Sequence, residues 1–151
     1  MDLGRNDGRR RTRPVVARKR PLKGLLDTSV FIALESGRAI AQEALPLESA
    51  ISVVTSAELR AGILAADGIA ERDRRIATWE ASRHFASLPI TGAVAGAWSQ
   101  MRAYLAASGR RVRVNDVWIA ATAAAYEMPV LTQDADFDAL NGVAGLAVVP
   151  V

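Results

Sequence analysis

The stretch 25-LLDTSVFIALESG-37 sets a carboxylate at the point where a buried strand ends. Residues 24–27 read as a short apolar strand. Thr28 or Ser29 is placed to cap a helix over 30–35, which Gly37 ends. An aspartate in that position is ordinary cap or turn chemistry when it stands alone. It becomes a candidate site residue only if other acids arrive at the same place, so the rest of the chain is read for strands and for acids that follow them.

A short helix over 39–44 stops before Pro46. The β-branched run 51–55 reads as a second strand, and Ser56 starts a helix that carries Glu58 in its first turn. A charged amphipathic helix follows over 68–87, with Ile76, Trp79 and Phe85 inward. Residues 88–90 form a short strand. Thr91 caps a long helix whose Val94, Trp98, Met101 and Leu105 share one face, and Gly109 ends it. Asn115 caps an alanine-rich helix over 116–127. Strands over 129–132 and 146–149 flank a helical turn at 137–140. Strands alternating with helices give an α/β class: a three-layer sandwich around a mostly parallel sheet of about five strands.

In an open parallel sheet, ligands bind beyond the carboxyl ends of the strands. Four acids are expected there. Asp27 ends the first strand, Glu58 follows the second, Asp116 opens the helix leading into the fourth, and Asp134 follows that strand. They stand 31, 58 and 18 residues apart in the chain. Each alone is explained as a cap, a turn or a first-turn acid favoured by the helix dipole; the conjunction of four is what points to chemistry. Four carboxylates in one pocket repel one another and would take up protons unless a cation joined them. An all-oxygen donor set suits Mg²⁺, with Mn²⁺ as substitute, rather than zinc. A water made acidic by such an ion can attack a phosphodiester.

Composition agrees with that reading and removes others. The chain has 151 residues, half of them hydrophobic and 23% charged, which fits one domain. It contains no cysteine and one histidine, His84, so thiolate and His-rich zinc sites are excluded. His84 falls in a charged helix away from any strand end and reads as a surface residue. No apolar run approaches the ~20 residues of a membrane span. Val15 to Ala17 run directly into Arg18-Lys19-Arg20, so no secretory h-region forms, and a cytoplasmic protein is expected. Residues 1–23 carry nine Arg or Lys against two Asp, a net of +7, and the remainder ten against fourteen, a net of −4, within the chain's +3. The division expected is a basic, disordered extension over 1–23 and one folded domain over 24–151. Arg110, Arg111 and Arg113, just ahead of Asp116, are either an exposed loop or a clamp for backbone phosphates. Trp118 reads as core.

LLDTSVFIAL, ISVVTSAEL, VNDVWIAATA and PVLTQDADF together resemble the four acidic motifs of PIN-domain proteins, and the wording of AEL and NDVWIAATA is most similar to the VapC toxins of bacterial VapBC toxin–antitoxin systems. The resemblance spans about residues 24 to 151. It implies a Mg²⁺- or Mn²⁺-dependent endoribonuclease that cuts structured RNA such as tRNA or rRNA, dimerises, and is held inactive by a VapB-type antitoxin. Carried over by motif, Asp27, Glu58, Asp116 and Asp134 form an acidic quartet. Asp27 and Asp116 touch the metal; Glu58 and Asp134 orient water or take a proton. Ser29, Asn115 and Thr132 support them, and Asp136 is a candidate fifth acid. A haloacid dehalogenase-type phosphatase needs a second Asp two positions after the first, where this chain has Ser29. A non-catalytic or DNA-directed PIN-like protein stays open as the alternative.

Overall fold

The computed structural model describes residues 19–151. Strand β1, Lys23–Leu26, lies at its centre between β2, Glu48–Ser52, and β4, Val130–Thr132. Strands β3, Ala86–Leu88, and β5, Val148–Pro150, complete a five-stranded sheet in the order β3-β2-β1-β4-β5, parallel at every pairing. The chain builds outward from β1 to β3, crosses back, and builds outward again from β4. The switch point therefore falls between β1 and β4, where an α/β sheet opens its crevice.

Side chains alternate across the sheet with period two. Leu25, Ala50 and Val130 enter one core cluster, and Leu26, Ile51 and Leu131 enter the other. Helices α4, Gly92–Ser108, and α5, Val114–Ala125, cover the first face with Val94, Met101, Val117 and Ala120. Helices α1, Thr28–Glu35, α2, Val53–Leu64, and α3, Ile69–Ser82, cover the second with Phe31, Leu59 and Trp79. These are the three layers expected. Alanines on α5 let the helix lie close: Ala120, Ala121 and Ala123 are fully buried. Gly24 does the same for β1, because a Cβ there would run into the Leu131 side chain and stand 3.1 Å from Pro46 Cγ.

Several boundaries differ from the sequence reading, each for a local reason. The second strand ends at Ser52, not at 55. Ser52 Oγ accepts from Val54 N at 3.1 Å and so caps α2, which draws Val53, Val54 and Thr55 into its first turn. A side-chain cap outweighs the weak strand preference of three β-branched residues. Glu58 consequently sits in the second helical turn, not the first. The third strand shifts with its partner, pairing Ala50 with Ala86 and Ser52 with Leu88, and stops before Pro89. The helix expected over 39–44 is a single 3-10 turn, Gln42–Ala44. Helix α3 ends at Ser82, well before 87, and the last strand starts two residues later than expected and ends one later. The extension assigned to 1–23 lies, up to residue 18, outside the described residues. From Arg20 onward the chain is tied to the body: Arg20 Nη2 donates to Pro46 O at 3.2 Å, and Glu48 N donates to Leu22 O at 2.8 Å.

Candidate active site

Asp27 leaves β1 with its backbone still in the ladder, its N–H donating to Leu131 O at 2.9 Å. Its side chain caps α1, accepting from Ser29 N at 3.3 Å, so the cap is Asp27 itself rather than Thr28 or Ser29. Thr132 Oγ1, at the end of β4, donates to the same carboxylate at 2.9 Å and accepts from Asp134 N at 2.9 Å. With that hydrogen committed to Asp27, Ser29 Oγ is the donor across the 3.2 Å contact between the two hydroxyls, and it accepts in turn from Gln133 N at 2.9 Å. Ser29 and Thr132 thus hold the first acid and the loop bearing the last in one network.

Glu58 reaches the same place from α2. Thr28 Oγ1 donates to Glu58 Oε1 at 2.8 Å and stands 3.0 Å from the fully buried Thr55 hydroxyl. Asp116 comes from the first turn of α5 and is 5% exposed. Asp134 caps the 3-10 turn Ala135–Leu140 by accepting from Asp136 N at 2.9 Å. All four acids line one open cavity of about 280 Å³, together with Thr28, Ser29, Arg38 and Arg113.

The electrostatics follow from burial and proximity. Burial pushes the Asp27 carboxyl up, against hydrogen bonds from Ser29 and Thr132 that pull it down. Asp116 is pushed up to about 6, mainly by burial, then by the charge of Asp27, with Arg113 opposing. Arg113 supplies the local counter-charge. Its Nε donates to Asp116 Oδ2 at 3.1 Å and its Nη2 to Asp134 Oδ2 at 3.0 Å, while its own side chain stays 74% exposed. Among the described residues no three acids converge as a ready-made metal-ligand set. The guanidinium spans two of them and is the cation the carboxylates hold in this arrangement.

Other expected residues fall elsewhere. Asn115 caps nothing: α5 starts one residue before it, at Val114, and its amide is an exposed wall of a neighbouring cavity beside Glu58. Asp136 is exposed and does not line the acidic cavity. Arg110 and Arg111 do not line it either, and Arg113 faces the carboxylates. Trp118, expected in the core, does pack against it, half-buried and stacked on Trp98 at 4.8 Å. The sequence reading missed Thr28 as the partner of Glu58 and missed Arg38 entirely. Hydroxyls in the run DTS were the available signal for the first.

Residues 24–143 match the PIN domain family. The chain belongs to that family. As a PIN domain it is similar to Ribonuclease VapC5 of Mycobacterium tuberculosis, 50% identical over 131 residues that span 87% of this chain and 97% of the relative. Ribonuclease VapC4 of the same organism is 42% identical over 121 residues, 80% of this chain and 93% of the relative. The fold superposes on the crystal structure of a VapBC-5 toxin–antitoxin member from M. tuberculosis with a TM-score of 0.81 at 46% identity, covering 87% of this chain and all of that one. This PIN domain is of the VapC type.

Proposed function

We propose that this chain is the toxin of a VapBC-type pair, an endoribonuclease that hydrolyses RNA phosphodiesters with Mg²⁺ or Mn²⁺. The observation that carries the reading is the arrival of Asp27, Glu58, Asp116 and Asp134, from four separate segments, on one cavity beside the switch point. The donor set fits a hard divalent ion: every candidate ligand is a carboxylate oxygen, and the buried pair Asp27 and Asp116 carries like charges that favour a cation between them. Asp27 and Asp116 would hold the ion, with Glu58 and Asp134 beside it once the Arg113 side chain has swung away. When bound, the ion makes an attacking water more acidic and offsets charge on the phosphate.

The remaining work falls to the chain's own groups. Thr28 occupies Glu58 Oε1, which leaves Oε2 to take the proton of the attacking water. Asp116, as a holder of the ion, would stay ionised, and the departing oxygen would take its proton from solvent. Thr132 and Ser29 fix Asp27 so that it need not reorganise. The partners proposed are a VapB-type antitoxin, as in the relatives solved as VapBC complexes, and a second copy of the chain. The substrate class proposed is structured RNA, tRNA or rRNA. No helix among the described residues is long and apolar enough to cross a membrane; the location proposed is the cytoplasm, where such RNA would be met.

The test is incubation of purified protein with tRNA and with DNA of matching sequence, in Mn²⁺ and in EDTA, beside Asp27→Asn and Asp116→Ala. The reading requires Mn²⁺-dependent fragments of RNA from the wild type only. Equal cutting by either variant, with contaminating nuclease excluded, removes the site assignment; cutting of DNA alone establishes the alternative.

A further inference from the structure

We propose that Arg38 is the residue that grips an RNA phosphate at the rim of the acidic cavity; this rests on the ribonuclease reading above. The cavity is lined by four carboxylates and two cations, Arg38 and Arg113. A phosphodiester entering it must pass close to the carboxylates, so a cation at the rim that is not tied to them favours its backbone. In the arrangement the structure shows, Arg113 is the less available of the two, since its Nε and Nη2 are engaged with Asp116 and Asp134 and only Nη1 is wholly free. Arg38 forms no ion pair with an acid among the described residues and is exposed. Its planar fork of donors matches two phosphate oxygens.

The backbone under Arg38 is held in place, which distinguishes it from a loose surface arginine. Gly37 takes φ +71, a left-handed turn that closes α1. Arg38 N then donates to Ala33 O at 2.8 Å and Gly37 N to Leu34 O at 3.3 Å, the two bonds of a Schellman cap. On its other side, Gln133 Nε2 donates to Ala39 O at 2.8 Å. Gln133 lies between Thr132 and Asp134, so the segment bearing Arg38 is fastened to the same loop that carries the last acid. A cation so mounted can set the register of a bound strand against the carboxylates.

The experiment measures binding of fluorescent tRNA to the Asp116→Ala protein, with and without Arg38→Ala, Arg38→Lys, or Arg102→Ala as a charge control. Arg102 is an exposed residue of α4 beside Trp98. Arg38→Ala is expected to weaken binding about tenfold, the order of one charge-assisted contact. It should also flatten the dependence of log affinity on log salt by ~0.7–0.9, the value of one phosphate contact. Arg38→Lys should restore part of the loss, while Arg102→Ala should change little. Mn²⁺ affinity and melting temperature of the single Arg38 variants should match wild type. Unchanged binding in Arg38→Ala, or an equal loss in Arg102→Ala, overturns the proposal. Cleavage by wild type is scored separately. Cleavage with Arg38-independent binding sinks Arg38 and keeps the nuclease; Arg38-dependent binding without cleavage keeps Arg38 and sinks the nuclease.

Discussion

Asp116→Asn should make the metal-free protein more stable at about pH 8, although it removes an ion pair. The side chain is 5% exposed and its folded-state value is about 6, against an ordinary 3.8. A carboxyl raised on folding destabilises wherever it is ionised in both states, above about pH 6, and that penalty vanishes as pH falls below the unfolded value. At ~1.4 kcal/mol per tenfold, the gap corresponds to about 3 kcal/mol. Asparagine removes this cost but leaves Arg113 with one partner fewer and must satisfy its own amide, which returns about 1 kcal/mol. A net gain of about 2 kcal/mol, or several degrees in melting temperature for a chain of this size, is expected. The assay is urea unfolding in EDTA, followed by tryptophan fluorescence, of both proteins at about pH 4, 6 and 8. The advantage of the variant should shrink towards acid, because the wild type protonates Asp116 there. With Mn²⁺ added, the order should reverse, as only the wild type gains ligand stabilisation. A variant less stable than wild type at about pH 8, or an advantage that does not decline on acidification, refutes the reasoning.

Arg113→Ala should bind Mn²⁺ several-fold more tightly by calorimetry, since the guanidinium and the ion compete for Asp116 and Asp134; weaker binding would show that Arg113 assists the ion instead. Thr28→Val should lower kcat about tenfold with little change in KM, because the orientation of Glu58 is lost, and should lower the melting temperature by a few degrees, because the buried Thr55 hydroxyl loses its partner. Gly24→Ala should destabilise by ~1–3 kcal/mol through overpacking against Leu131, read as a lower urea midpoint at unchanged slope.

The parts of the site that could be read from the sequence were those set by chain order. Asp27 after an apolar run, Asp134 after another, and Asp116 at the head of a helix feeding a strand all reach one edge in any parallel α/β sheet. What escaped was decided by single hydrogen bonds. Ser52 captured three β-branched residues for a helix, and Asp27 took the capping role expected of Thr28 or Ser29. Asn115 was two places too late to cap α5, whose cap position is Arg113. Arg113 was weighed only as loop or phosphate clamp, because its reach to Asp134 crosses 21 positions of chain that no local pattern spans. Arg38 gave no signal at all: it belongs to the site only because Gly37 turns the chain back and Gln133 fastens it there.

Asp27 serves two masters. The oxygen that accepts from Ser29 N to start α1 is the same one that accepts from Thr132, so losing the residue costs a helix cap as well as an acid. Selection on the two roles is separable. A lineage that abandoned cleavage would be freed from needing a carboxylate at this position, yet would still need a short acceptor to begin the helix. Decayed relatives should therefore carry Asn, Ser or Thr here, drifting within the capping residues, while Glu58, which caps nothing, is released to vary without such restraint.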